Sequence, residues 1–490
     1  MNLKEILWVT MGRVAQFALL LITLRIATTY LSPAEMGKVS IVTATVAFFA
    51  LFLINPVGMF INRRLHAWNS RGRVKAYTAY FWIYLLLVSM LAALVLVLVV
   101  SLNLWDIEIT IYWLLLLVCG GIVFGTVNQF SIPSLNMLGY RGWFTILTVA
   151  TVASSLLFAV LFVQFVSMRA EYWLSGLLVG QLIVGFIGKR VLFEKLSPDQ
   201  SDDFPAVLNS EKLNNLIHFA WPVAIAVGLG WIQSQGYRYV IQGRLGLDEL
   251  GLFAAGFGIS SGLISGFDAI FSTYFQPKFY EKISLGGEGA QSQAWVDYAK
   301  ITIPALLLTS FLIVSVAPEL TNLLLGVRYK NSTQFIVWGA LAEFGRVATA
   351  VFGMLAHARM NTKMLLLPNM AGAVAAILLI SVLAPIYGSI GVGLGLALSS
   401  AVAFLVTYYV TVKYFKVIFR FRFLKNSLLG GFSILFFAEV LNVIFGGGAS
   451  YLISITKLFV IGSMFLLLQY VMLVPVLKIE VSSLRSLWRN

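Results

Sequence analysis

Residues 30–40 read YLSPAEMGKVS, and residues 244–254 read RLGLDELGLFA. Leu31, Glu35 and Gly37 of the first stretch recur as Leu245, Glu249 and Gly251 of the second, at a constant offset of 214 positions. Each stretch follows one long apolar segment and precedes another. A looser pair lies further along, MLGYRGW (137–143) and MLAHARMN (354–361), each a short basic turn after the fourth apolar segment of its half. Shared residues at equivalent places in two blocks predict an internal duplication.

The segments around these turns are long enough to cross a bilayer, which takes about 20 apolar residues. Fourteen are legible, near 6–29, 39–61, 79–101, 110–137, 144–166, 173–190, 215–241, 252–275, 301–325, 334–357, 364–384, 391–412, 427–446 and 453–477. Of the 490 residues, 60% are hydrophobic and 11% charged, and the mean hydropathy is +0.91, too apolar for a soluble domain. The apolar runs are continuous rather than alternating with period two, so the spans are helices and not barrel strands. The predicted fold is all-α and polytopic, with about 14 transmembrane helices. Six spans per block is an even number, so the two blocks are parallel repeats about an axis along the membrane normal, an arrangement that puts a substrate site between them near the midplane. The expected divisions are an N-lobe at 1–192, a polar linker at 193–214, a C-lobe at 215–415, and a last part at 416–490 holding a basic segment, spans thirteen and fourteen and a tail.

Loop charge sets the orientation. NRRLHAWNSRGRVK (62–75), the turn at Arg141, Lys189 to Lys212, PKFYEK (277–282), Arg359 with Lys363, KYFKVIFRFRFLK (413–425) and the tail hold most of the Lys and Arg. The alternate loops are short and nearly neutral. The positive-inside rule then places the basic set and both termini in the cytoplasm, and the net charge of +14 reflects orientation rather than nucleic-acid binding. Short exterior loops argue against a glycosyltransferase or polymerase. One cysteine, Cys119, excludes an internal disulfide, and three dispersed histidines give no metal-ligand cluster. GSIGVGLGLA (388–397) has no strand before it and reads as close helix packing.

Ionisable groups within spans mark a pathway by default. Arg25 in the first span and Arg238 in the seventh occupy the equivalent opening helices of the two blocks, at similar depth. Gln233, Gln235 and Tyr237 flank Arg238. The candidates for a cationic binding cavity are therefore Arg25, Arg238, Gln233, Gln235, Tyr237 and Arg346, although both Arg25 and Arg238 lie close enough to the outer face to snorkel. Asp268, without an obvious partner, and Glu343, three residues from Arg346, are candidates for ion coupling. Arg13 reads as an interfacial anchor, and Lys457 as a snorkelling residue. An excess of guanidinium groups suits phosphate, which they grip through a planar fork of donors.

The paired blocks, the LSPAEMG turn with its LGLDELG echo and the basic turn after the fourth span resemble, over residues 1–415, the polysaccharide transporters of the multidrug/oligosaccharidyl-lipid/polysaccharide (MOP) superfamily, which include the Wzx-type O-antigen flippases. The resemblance implies a flippase, not an enzyme, in the bacterial inner membrane. Its expected cargo is an undecaprenyl-diphosphate-linked oligosaccharide, moved from the cytoplasmic to the periplasmic leaflet by alternating access. Membrane lipids and a polysaccharide polymerase or chain-length regulator are the expected partners, nucleic acid is not, and no cofactor is expected beyond a proton or sodium gradient. The rival readings are a multidrug/toxin cation antiporter of the same superfamily and a membrane glycosyltransferase or polymerase.

Overall fold

The computed structural model describes residues 3–102, 105, 108–197, 210–284, 287–358, 362–445 and 450–487. Most of the linker, Asp106 and Arg359 lie outside the described residues. Two compact units are present, Met1–Gly251 and Leu252–Asn490. The chain is all-helical among the described residues.

In the first unit, α1 (Leu3–Tyr30) ends at the YLSPAEMG turn. Ser32, in extended conformation, caps α2 (Pro33–Phe49): its Oγ accepts from the Glu35 amide, and Pro33 fills the first helical turn, where an amide hydrogen has no partner to lose. The Glu35 carboxylate then joins distant elements. One oxygen receives the buried Lys38 Nζ at 3.0 Å, and the other receives the Ala170 amide at 2.6 Å, an orphan donor at the start of α7 (Ala170–Lys195). Lys38 also reaches Glu108 at 3.5 Å.

The two related turns meet. A Cβ on Gly37 would overlap the Leu247 carbonyl oxygen, and one on Gly251 would overlap the Pro33 carbonyl oxygen. Gly37 and Gly251 share the offset of 214, and so do Pro33 and Leu247, so one contact is the counterpart of the other. Only glycine lets these backbones approach so closely.

After α2 the backbone loosens into a π-helical turn, Ala50–Ile54, and resumes as α3 (Asn55–Asn69). Pro56 has no amide hydrogen to give, and the Tyr84 hydroxyl donates to the Leu53 carbonyl oxygen at 2.9 Å. The second span thus runs from 33 to 69, well beyond the apolar 39–61, because the helix carries the basic residues 62–69 out of the membrane without a break. Next come α4 (Val74–Ser101), α5 (Ile111–Met137) and α6 (Arg141–Phe165). The α6 and α7 helices pack backbone to backbone: Gly176 and Gly180 lie on Ala159 and Ser155, and Ser155 Oγ donates to Leu177 O at 3.0 Å. The unit closes with α8 (Ser210–Gln235), α9 (Tyr237–Leu245) and the start of α10 (Leu247–Ser284).

In the second unit α10 is followed by α11 (Glu288–Ser315) and the short α12 (Ala317–Leu324), so the ninth apolar stretch breaks at Val316–Pro318 rather than running through. Then come α13 (Thr333–Ala358), α14 (Leu366–Phe415), α15 (Lys425–Phe445) and α16 (Tyr451–Leu487). The long α14 is a hairpin: Gly388 adopts φ 60, ψ −139, and Gly391 and Gly395 lie back against Leu383 and Ile380. Among the described residues 13 helices are long and apolar enough to cross a membrane, and the reversal at Gly388 divides one of them into two arms, giving the fourteen spans read from sequence. Side chains such as Leu87, Met90, Leu378, Phe436 and Phe459 stand exposed, as a lipid-facing surface requires.

Lys457 corrects a sequence expectation. It is 4% exposed, paired with Glu319 (6% exposed) at 3.5 Å, and its Nζ donates to Asn442 Oδ1 at 2.7 Å. It holds α16 to α12 and α15 instead of snorkelling.

The glycine contact is open to test. Gly251→Ala is expected to cost about 1–3 kcal/mol through overpacking, seen as a lowered midpoint in thermal unfolding of the detergent-purified protein. Gly243→Ala, where a Cβ meets open space, is expected to leave the midpoint unchanged or slightly raised.

Candidate functional site

Arg238 lies on α9, the second residue after Gly236, which separates α8 from α9. Around that glycine the backbone tightens, with Gly236 N bonded to Ile232 O and Tyr239 N to Gly236 O. The break turns Tyr237 inward, where it is 2% exposed. Arg238 Nη1 donates to the Ser40 carbonyl oxygen at 3.0 Å, and its Nε to Tyr237 Oη at 3.3 Å. Ser40 sits two turns into α2, immediately beyond the Glu35–Lys38 pair. No carboxylate pairs with Arg238 among the described residues, so its charge is held in place but not cancelled.

Aromatic side chains gather on Tyr239, the residue next to Arg238. Thr45 gives its proton to Ile41 O, which makes Tyr239 the donor in the 2.9 Å Thr45–Tyr239 bond. Trp231 Nε1 donates to Ala44 O at 3.1 Å, and the Trp231 and Trp105 rings pack on Tyr239 at 5.9 and 5.7 Å. Two buried donors here, Ser40 Oγ and Trp105 Nε1, have no hydrogen-bond partner among the described residues. A buried donor left unmatched costs about 1–3 kcal/mol.

The other sequence candidates fall in different surroundings. Gln233 and Gln235 are half-buried on the last turn of α8. Arg25 is half-buried on α1, which packs chiefly on α6, whereas the neighbours of Arg238 come from α2. Arg13 is exposed, bonded to Gln16 and set over the Phe144 ring.

In the second unit, Arg346, Glu343 and Asp268 form one cluster. Arg346 Nε donates to Glu343 Oε2 at 2.7 Å, and its Nη2 reaches Ser265 Oγ at 3.4 Å. Asp268 has partners after all: it interacts with the Arg346 charge and accepts from Ser272, which also contacts the buried Tyr298 hydroxyl. Two carboxylates therefore face one guanidinium, an arrangement suited to a cation rather than a phosphate. Ser40, Thr45, Trp105, Trp231 and Tyr239 escaped sequence reading. The only signal was small hydroxyl residues at helical spacing in an apolar span, which ordinarily means packing.

The family described as polysaccharide biosynthesis protein matches residues 2–279, more than half of the chain, and the chain belongs to that family. No curated protein matches it. Its fold is similar to that of the lipid II flippase MurJ in an inward closed conformation, at 13% identity and TM-score 0.71, covering 97% of this chain and 100% of that one. It is also similar to an inward-facing multidrug resistance transporter of the MATE family (12% identity, TM-score 0.59, 85% and 96% covered). A third is a MOP superfamily transporter from Pyrococcus furiosus, described as having a binding pocket of reverse polarity (13% identity, TM-score 0.54, 85% and 97% covered). The chain is a multi-pass membrane protein with this transporter fold.

The acidic cluster yields a stability test. Arg346→Gln strands two carboxylates and is expected to cost about 2 kcal/mol, below the value for a fully buried pair because Arg346 is partly exposed. Adding Glu343→Gln is expected to recover part of that loss, in a double-mutant cycle read by chemical denaturation in detergent.

Proposed function

We propose that this member of the polysaccharide biosynthesis protein family flips a polyprenyl-diphosphate-linked oligosaccharide, the repeat unit of an O-antigen, capsule or exopolysaccharide, from the cytoplasmic to the periplasmic leaflet of a bacterial inner membrane. The observation that carries the reading is Arg238: an arginine inside a membrane span, oriented by a carbonyl and a phenol, with no carboxylate to neutralise it. A diphosphate supplies the missing counter-charge and accepts the planar fork of donors. The unmatched donors Ser40 Oγ and Trp105 Nε1 support the reading, as do the rings of Trp231, Tyr239 and Trp105, whose faces suit the apolar faces of sugar rings.

Translocation requires no bond to break. The protein must replace the hydration of a charged, hydroxyl-rich headgroup while the polyprenyl chain stays in lipid. Alternating access does this by opening the site to one leaflet and then to the other. In this reading Asp268, with Ser272, Tyr298 and Arg346 about it, carries the coupling proton or sodium ion, and a polymerase outside consumes the delivered unit.

In proteoliposomes loaded with lipid-linked oligosaccharide, Arg238→Gln is expected to slow flipping about tenfold or more, because a hydrogen bond from a charged group contributes about 1.5–3 kcal/mol. Arg238→Lys is expected to keep part of the rate. Equal rates for wild type and Arg238→Gln remove Arg238 from the path. A wild type that moves no lipid-linked glycan but exports organic cations replaces the reading with that of an antiporter.

A further inference from the structure

A cavity lies in the first unit, with Arg238 outside its lining. Its volume is about 550 Å³, and its walls come from the π-helical turn, α3, the start of α4 and one face of α8. That volume is typical of a small-ligand pocket and too small for a whole lipid-linked glycan. From Trp221 on its wall to Arg238, the chain climbs about 25 Å of helix, while Phe52 at its other side stacks on Phe48, whose ring meets Trp231.

The cavity is divided by chemistry. Three arginines, Arg64, Arg71 and Arg73, line one part, and no acidic residue lines it among the described residues. Their placement follows from the local backbone. Gly72 takes φ 61, and the Arg71 and Arg73 amides both bond to Trp68 O, which folds the two arginines back beside the end of α3. Arg64 lies over the Phe60 ring at 4.2 Å. The α4 helix begins at Val74, directly after these arginines, so its unpaired first amides add positive potential there. The rest of the wall is apolar and largely aromatic. Trp68 and Tyr77 stack at 3.9 Å, and Trp221, 63% exposed, stands on the α8 face. The widened turn at Ala50–Ile54, held open by Tyr84 on the Leu53 carbonyl, provides the back of the chamber.

We propose that this cavity receives the diphosphate and first isoprene units of a polyprenyl diphosphate at the basic, cytoplasmic face of the membrane, before the headgroup reaches Arg238. The proposal rests on the flippase reading. Three guanidinium groups match a diphosphate, which carries more charge than the single phosphodiester of a bulk phospholipid, and the aromatic wall accepts a branched, unsaturated chain. The site gives the protein a hold on the lipid part of its cargo that does not depend on the glycan.

The test is photo-crosslinking of the full-length protein in nanodiscs with farnesyl diphosphate carrying a diazirine in its chain, followed by peptide mapping. The expected labels fall on residues 52–68 and 216–224, and are competed by polyprenyl diphosphate but not by a tenfold excess of phosphatidylglycerol. The triple variant Arg64→Gln/Arg71→Gln/Arg73→Gln, whose altered side chains are all exposed, is expected to lose about tenfold or more of this labelling, while Arg238→Gln retains it. Unchanged labelling in the triple variant, or equal competition by phosphatidylglycerol, overturns the proposal. Flipping by wild type together with either of those results defeats the cavity alone, whereas absence of both flipping and labelling defeats the flippase reading with it.

Discussion

Hydrocarbon offers a polar group no partner, so each ionisable side chain within these helices must find one in the protein or be matched by a ligand. The charges of the described spans divide along that line. Lys457 is matched by Glu319 and Asn442, Lys38 by Glu35 and Glu108, and Arg346 by Glu343 and Asp268. Each of these groups ties helices together, and Glu35 extends its hold to the first amide of α7. Arg238 is the exception among them. A carbonyl and a phenol orient it, and neither removes its charge.

The surroundings of Arg238 begin at the turn of residues 30–37. Ser32 starts α2, Glu35 and Lys38 fix its first turns to α7, and Gly37 seats it against Leu247, all within two turns of the carbonyl that holds the guanidinium. The reciprocal contact of Gly251 with Pro33 presses the counterpart turn into the same place.

The spans were legible because hydrophobic length is a strong signal, and Gly388 even separates the two arms of α14 as the apolar pattern predicts. Polar placement was less legible. Lys457 and Asp268 read as isolated because their partners, Glu319 and Arg346, are distant in sequence or on another helix. The π-helical turn leaves no mark in the sequence beyond Asn55–Pro56. The arginines of 62–75 read in the sequence as an orientation signal, and the place of Arg64, Arg71 and Arg73 on the wall of a cavity shows only in the fold. Trp105, in a short loop, shows its relation to Arg238 only through Tyr239 in the folded chain.

The central claim is that the uncancelled charge of Arg238 is completed by a diphosphate. Electron cryo-microscopy of the full-length protein in nanodiscs saturated with a polyprenyl-diphosphate oligosaccharide tests it most directly. The account predicts phosphate density within hydrogen-bond distance of the Arg238 guanidinium, with sugar density against Trp231 and Tyr239. Bound lipid elsewhere, with Arg238 still engaged only by Ser40 and Tyr237, would contradict it.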